Sequence, residues 1–172
     1  MDIFHEQIVK KQLRGLRLLA MIAIIIGFVL ALAATFIFLS FIGLMAFLIM
    51  AGLAYLGWYI VTGFNIEYEY ILTNDELDID KIIAKRKRKR LISIKMPAVT
   101  EFAKLTEKNA DAGNRTLVDC AGNELPAFAM DFKHERMGDC RLLFTPTDEM
   151  KDQMVKVLPR QLRIKYKDSN II

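Results

Sequence analysis

The chain has 172 residues, of which 53% are hydrophobic and 26% are charged, and its formal net charge is +4. The charged side chains are unevenly distributed, because residues 18–66 contain no Asp, Glu, Lys, Arg or His. This distribution excludes a single soluble domain, in which charged or turn residues interrupt the apolar segments every ~10–15 positions. It also excludes a cleaved secretory signal, whose apolar stretch is only about 7–15 residues long.

The leader, residues 1–17, has a pattern typical of a short amphipathic segment. Phe4, Ile8 and Leu13 suggest one apolar face, with polar residues on the others. We expect a cytoplasmic amphipathic leader that lies on the membrane surface before the first helix. The alternative is a simple polar extension of that helix.

Residues 18–66 predict a transmembrane helical hairpin. A membrane-spanning helix needs roughly 20 apolar residues, so this run fits two helices joined by a very short turn. We place the turn at residues 40–43 and the helices at residues 16–39 and 44–63.

Small residues recur along both helices at spacings that let a second backbone approach closely. Packing within the hairpin, homo-oligomerisation and no special role all remain open. These residues are Ala23, Gly27, Ala31 and Ala34 in the first helix, and Gly43, Ala46, Ala51, Ala54 and Gly57 in the second.

Cations flank both ends of the hairpin. Lys10, Lys11, Arg14 and Arg17 precede the first helix, and a basic run at residues 85–90 follows the second. Because Lys and Arg near membrane ends stay on the cytoplasmic side, we expect a multi-pass protein of the cell membrane with both termini cytoplasmic.

Residues 67–172 are long enough for one small cytoplasmic domain with its own core. Alternating apolar and polar residues predict a first three-stranded meander, followed by a more helical stretch at residues 99–105. A second meander follows, with a hairpin turn at residues 121–123 and a charged loop at residues 134–139. The expected strands are residues 67–73, 76–83, 91–95, 116–120, 125–132 and 140–144.

A C-terminal helix follows the second meander. Thr145 is the expected N-cap, Pro146 occupies the first helical position, and Pro159 ends or kinks the helix. We expect the charged tail, residues 160–172, to fray. The residues expected to form the apolar face are Met150, Met154, Val157 and Leu158.

Two meanders and a helix fit a small antiparallel β barrel or sandwich whose open corner is plugged by the C-terminal helix. The segment YILTNDELDIDKII, residues 70–83, followed by a basic turn and LISI, residues 91–94, resembles the opening strands of bacterial PH-like domains. In those families a pair of membrane helices commonly precedes the domain.

The whole chain also resembles a family of small membrane proteins from Gram-positive anaerobes with no assigned function. The similarity lies in EQIVK at residues 6–10 and ELDIDKIIAKRKRKR at residues 76–90. It implies an α+β membrane protein, with a two-helix transmembrane hairpin followed by a PH-like domain, and it implies no particular activity.

The basic run is the most specific feature outside the hairpin, and we expect it at the tip between the second and third strands. One hypothesis is contact with anionic lipid headgroups or a partner protein. The alternative is a solvated hairpin whose cations pair with Glu76, Asp78 and Asp80, although three acids leave an excess of cations. Nucleic acid is not expected, because aromatic platforms and a recognition helix are absent. The run consists of Lys85, Arg86, Lys87, Arg88, Lys89 and Arg90.

The sequence offers no catalytic, cofactor or metal motif. Cys120 and Cys140 form no C-x-x-C pair and, with His134, do not make a metal-ligand spacing, so we interpret them as core thiols. Glu67 and Glu69 are interpreted as the polar face of a strand.

We therefore expect a non-enzymatic, membrane-anchored interaction module, with anionic lipids, a partner protein or a second copy as its partner. The alternative is a structural or regulatory subunit of a larger membrane complex that binds mainly through the hairpin. An enzyme is the third hypothesis.

Overall fold

The computed structural model describes residues 3–11, 13, 15–38, 43–106, 111–122 and 126–169. The chain forms two units. One is helical and comprises residues 12–66, and the other is a domain built from residues 1–11 together with residues 67–172.

Two apolar helices, α1 (Leu16–Ile37) and α2 (Met45–Gly63), make up the helical unit. Each is long and apolar enough to cross a membrane. They form where the sequence predicted them. Residues 40–42 of the expected turn lie outside the described residues, and Gly43 has a φ of 63°, a left-handed conformation that suits glycine.

The helices pack through small residues of α2. Gly57 is buried against a phenyl ring, because a Cβ added there would lie 3.2 Å from Cγ of Phe28. Ala46 is also buried. Two residues of the small-residue stripe on α1 lie outside this contact, since Ala23 is exposed and a Cβ at Gly27 would meet no described atom within 4 Å.

Sheet 1 contains four strands in the order β1-β2-β3-β4. Asn74 and Asp75 form the turn between β2 and β3, as the sequence predicted, and Asn74 has a φ of 53°, which Asn tolerates better than most residues. The strands are β1 (Phe4–Lys11), β2 (Ile66–Thr73), β3 (Glu76–Ile83) and β4 (Lys87–Lys95).

Sheet 2 follows a short 3-10 turn and has the order β5-β7-β8-β6. The segment expected to be helical is strand β5, because it pairs with β7. The expected hairpin between β6 and β7 is also wrong, since β6 pairs in parallel with β8; Asn123 of that turn lies outside the described residues. The strands are β5 (Val99–Lys104), β6 (Thr116–Asp119), β7 (Phe128–His134) and β8 (Gly138–Phe144).

The strands form two separate sheets and not a closed barrel. Tyr70 of β2 joins them, because its ring meets Phe144 of β8 edge-on at a centroid distance of 5.8 Å. Its hydroxyl donates a hydrogen bond of 2.6 Å to the carbonyl of Cys120. The pKa of Tyr70 is raised above its ordinary value by burial, so this hydroxyl keeps its proton.

Two helices follow the sheets, α3 (Asp148–Val157) and α4 (Arg160–Ser169). The expected N-cap is wrong by two positions, because Oγ1 of Thr147 accepts the Met150 N–H at 3.3 Å. Thr145 is instead buried, with its Oγ1 accepting the Gly122 N–H. The expected apolar face is confirmed at its buried positions, and the tail expected to fray is helical as far as residue 169. The buried positions are Met150, Met154 and Leu158.

The leader is not separate from the domain, as the sequence had suggested, because Phe4–Lys11 form strand β1 at the edge of sheet 1. Gln7 fastens this strand to the start of α3: Nε2 donates to the Thr145 carbonyl at 2.9 Å and Oε1 accepts the Thr147 N–H at 2.8 Å. Lys11 pairs with Asp119 of β6 at 2.7 Å. Strand β1 therefore belongs to the domain.

Gly122 provides a test of this docking. A Cβ added there would lie 2.1 Å from Cγ1 of Val9 and 3.2 Å from both the Lys10 carbonyl and the Thr145 hydroxyl. We expect Gly122→Ala to destabilise the full chain by about 1–3 kcal/mol through overpacking. Thermal unfolding in mild detergent measures this loss.

The control for this prediction is the double variant Val9→Ala with Gly122→Ala. Because a shorter side chain at Val9 makes room for the new methyl group, Gly122→Ala should cost less stability in the Val9→Ala background than in the parent. Additive losses would mean that β1 does not contact Gly122 in solution.

Candidate functional site

The basic run lies mostly within a strand. Lys85 and Arg86 occupy the turn, whereas Lys87, Arg88, Lys89 and Arg90 belong to β4. The expectation that the whole run sits at a strand tip is therefore wrong. Because a strand directs alternate side chains to opposite faces, a run that alternates lysine with arginine separates the two residue types.

The arginines of β4 face an acidic surface of sheet 1. Nε of Arg90 lies 2.6 Å from Oδ1 of Asp80, and Nη1 lies 2.6 Å from Oδ2 of Asp78. Arg88 pairs with Glu69 of β2. The cross-strand pairing that the sequence offered as an alternative thus applies to the arginines. Such pairs suit the forked guanidinium group, which binds carboxylates at two points.

The lysines lie on the opposite face. Lys89 is directly opposite Lys81 in the β3–β4 register, and Lys87 is opposite Ile83. With Lys85 in the adjacent turn, these side chains form what we call the lysine patch: Lys81, Lys85, Lys87 and Lys89. Within the described part of the chain, none of the four makes an ion pair closer than 4.0 Å.

Like charges directly opposite on a sheet are destabilising. The Lys81–Lys89 pair therefore costs stability that the fold alone does not require, and an anion placed over the patch would relieve it. The left-handed φ values of Ala84 and Lys85, 54° and 55°, add backbone strain to the same turn. The patch combines unneutralised charge with a strained turn, as binding surfaces often do.

A buried carboxyl group that sequence reasoning missed lies on the arginine face. Glu69 is 1% exposed, and its Oε2 has no hydrogen-bond partner among the described residues. Burial and the nearby Glu6 carboxyl raise the pKa of Glu69, and Arg88 opposes that rise. The alternation of acids with tyrosines in β2 looked like a solvent face, because the covering residues lie on other strands.

A second buried ion pair was also missed. Arg141 of β8 holds Asp131 of β7 through two bonds of 2.6 Å, from Nε and Nη2 to the two carboxylate oxygens. Its Nη1 donates to the carbonyl of Asp111 at 2.7 Å. The pair connects the centre of sheet 2 with the loop before β6. It is structural, because these bonds occupy both carboxylate oxygens of Asp131 and use all three guanidinium nitrogens of Arg141.

The cysteines are core residues, as expected. Both Cys120 and Cys140 are buried free thiols. Burial, with a smaller effect from Asp119, raises the pKa of Cys120 to about 12, and burial also raises that of Cys140. Thiols with raised pKa values are poor nucleophiles at neutral pH.

The domain thus consists of two four-stranded sheets followed by two helices. The chain belongs to the family described as bacterial PH-like domain (DUF6106), whose model matches residues 1–164. The matched range includes β1 and both apolar helices, so these elements are part of the family pattern. No curated protein and no solved structure matches the chain significantly.

Glu69 predicts a pH dependence of stability. Because its pKa is raised in the folded state, the folded chain keeps a proton that the unfolded chain loses near the ordinary value of 4.5. The contribution of Glu69 to stability is therefore greatest below that value and decreases as pH rises through the raised pKa. We expect Glu69→Gln to remove this decrease, measured as the melting temperature of the full chain between about pH 4 and pH 8.

The matched control is Glu67→Gln, which changes a buried carboxyl on the same strand. In this variant the melting temperature should still decrease with rising pH as it does in the parent. A Glu69→Gln variant whose stability varies with pH as steeply as the parent would show that Glu69 does not carry this dependence.

Proposed function

We propose that this protein is a non-enzymatic, membrane-anchored interaction module whose PH-like domain contacts anionic lipid headgroups through the lysine patch. PH-like domains commonly act as lipid or protein interaction modules, which supports the class of function. The lipid contact is supported by the charge sorting on β4, where the arginines are neutralised and the lysines are left available.

The chain path supports this assignment. Asn74 donates to the carbonyl of Ile3 at 2.7 Å, and Lys11 lies 5.6 Å from the ring of Tyr68, so β1 and β2 run antiparallel. The end of β1 and the start of β2 thus share one end of sheet 1, and the β3–β4 turn lies at that same end. The lysine patch is therefore at the end of the sheet where the chain leaves for α1 and returns from α2.

Membrane anchoring is supported by the composition and exposure of the helices. Neither helix has an acidic residue in its first turn or a basic residue in its last turn, and most of their large apolar side chains are exposed. Such surfaces are stable in hydrocarbon and not in water. The patch then need not supply anchoring, and it orients the domain and gathers anionic lipids beneath it.

Both termini are placed in the cytoplasm in this proposal. A chain that crosses a membrane twice begins and ends on the same side. Strand β1, which precedes the two helices in the chain, pairs with β2, which follows them. The flanking cations favour the cytoplasmic side. Anionic lipids of that leaflet attract basic residues by about 1 kcal/mol for each lysine near the surface.

The lysine patch can be tested with the full chain reconstituted in nanodiscs of mixed neutral and anionic lipid. After the nanodiscs are dissolved in mild detergent, we expect the parent to keep more anionic than neutral lipid bound. This ratio of bound lipids should fall at least tenfold in the patch variant, which combines Lys85→Glu, Lys87→Glu and Lys89→Glu. At about 1 kcal/mol per lysine, the loss of three attractions exceeds the 1.4 kcal/mol of a tenfold change. Raising salt from about 0.1 M to about 1 M should weaken the parent similarly.

The matched control reverses three exposed cations elsewhere in the domain, Arg136→Glu, Lys156→Glu and Arg160→Glu, and should retain the lipid preference. Equal lipid retention by the patch variant and the parent would contradict the proposal. A stable stoichiometric protein partner that copurifies with the patch variant would instead favour the membrane-complex subunit.

The topology has its own test. A reporter enzyme that is active only outside the cytoplasm should stay inactive when fused after residue 172. The same reporter fused after Gly43, between the helices, should be active, because that point lies across the membrane. An active reporter at the C-terminal fusion would contradict the two-span arrangement.

A further inference from the structure

A groove of about 850 Å³ lies along the outer edge of sheet 1. We call it the edge groove. One wall is formed by six successive residues of β4, residues 90–95, and the facing wall by the β7–β8 hairpin between Phe132 and Gly138. The groove does not include the lysine patch.

The geometry of a strand shows which part of β4 the groove touches. Successive side chains of a strand point to opposite faces of the sheet, so a groove on one face would meet only alternate residues. Contact with six residues in a row places the groove along the strand's edge. Within the described part of the chain β4 pairs with β3 alone, so its outer backbone groups are available.

A β-bulge shapes the middle of this wall. Ile79 pairs with Ile92 and Asp80 pairs with Arg90, which leaves Leu91 without a cross-strand partner. Leu91 lines the groove and is 37% exposed. Bulges often redirect a side chain at a functional surface, and this one presents an apolar contact in an otherwise polar rim.

The charge of the edge groove favours an acidic occupant. Lys95, Lys133 and Arg136 are exposed along it, whereas Arg90 is already paired with aspartates. Its acidic lining residues are Glu76, whose Oε1 accepts the Ser93 hydroxyl, and Glu135. Among the described residues, the lining groups outside ion pairs are three cations and two carboxylates, an excess of one positive charge.

We propose that an extended acidic peptide segment of a partner protein binds in the edge groove and adds a fifth strand to sheet 1 beside β4. Main-chain hydrogen bonds to the free edge supply affinity, and the lysines, Arg136 and Leu91 supply selectivity for alternating acidic and apolar side chains. A second copy of this chain fits poorly, because edge-to-edge pairing of two β4 strands would bring their cations together.

Edge strands also carry cations simply to prevent aggregation. On β4 the cations are concentrated in its first four residues, whereas the wall of the groove presents an exposed leucine, Leu91, between Arg90 and Lys95. The protective role of edge cations does not explain an exposed leucine placed at a bulge that faces a groove.

The test uses the full chain in nanodiscs of neutral lipid and a short peptide of alternating glutamate and valine, blocked at both ends. We expect this peptide to bind at least tenfold more tightly than a matched lysine–valine peptide. Two further peptides carry N-methyl groups, one on every glutamate and one on every valine. Because an added strand uses the N–H groups of one edge only, one of these two should lose binding and the other should keep it.

Variants locate the site. Affinity for the acidic peptide should fall at least fivefold in the groove variant, which combines Lys95→Gln, Lys133→Gln and Arg136→Gln. The melting temperature of this variant should equal that of the parent. Two matched controls should bind like the parent: Lys156→Gln with Arg160→Gln and Arg163→Gln, and the lysine-patch variant described above. The second control separates this inference from the lipid contact, which can fail independently.

Three results would overturn the inference: no preference between the acidic and basic peptides, equal binding by both N-methylated peptides, or unchanged affinity in the groove variant. Loss of peptide binding in the lysine-patch variant alone would assign the acidic ligand to that patch and would equally overturn it.

Discussion

The pairing of β1 with β2 is the constraint on which the rest of the structure depends. The two strands are neighbours in one sheet, although both apolar helices lie between them in the chain. Gln7 also fixes β1 to the start of α3, because its side-chain amide makes hydrogen bonds with the backbone of Thr145 and Thr147. The domain is therefore complete only when the residues before the helices have returned to it, and closing so long a connection must be offset by the contacts that β1 makes.

Strand β4 organises the charged surfaces of the domain. Its alternating lysines and arginines carry the same charge, yet they lie on opposite faces of the sheet, because successive side chains of a strand point in opposite directions. The arginines bond the acids of β2 and β3, Arg90 bridging Asp78 and Asp80 and Arg88 pairing with Glu69, whereas the lysines on the opposite face make no ion pair among the described residues. The bulge at Leu91 then divides the strand into a basic half near the turn and a half along the edge groove, in which Leu91 is exposed and Ile92 and Ile94 are buried.

The buried ionisable groups show how this small domain joins its layers. Arg141 and Asp131 satisfy each other inside sheet 2, so removing one partner would leave a buried charge. Glu69 is less completely satisfied, and its raised pKa reflects that. The two groups lie on different sheets, and Tyr70 connects those sheets through the carbonyl of Cys120. Polar contacts therefore supplement an apolar core that a domain of this size keeps small.

The sequence by itself determined the features that depend on local pattern: the two apolar helices, from an uninterrupted apolar run, the β2–β3 hairpin, from Asn74-Asp75, and the buried face of α3. Tertiary structure decided what local pattern does not encode. Residues 4–11 and Val99–Lys104 have helix-like spacing and become strands because each finds an edge to pair with. The parallel β6–β8 pair, the burial of Glu69 and the separation of lysines from arginines likewise depend on partners distant in the chain, since strand pairing and burial are set by residues that no local window contains.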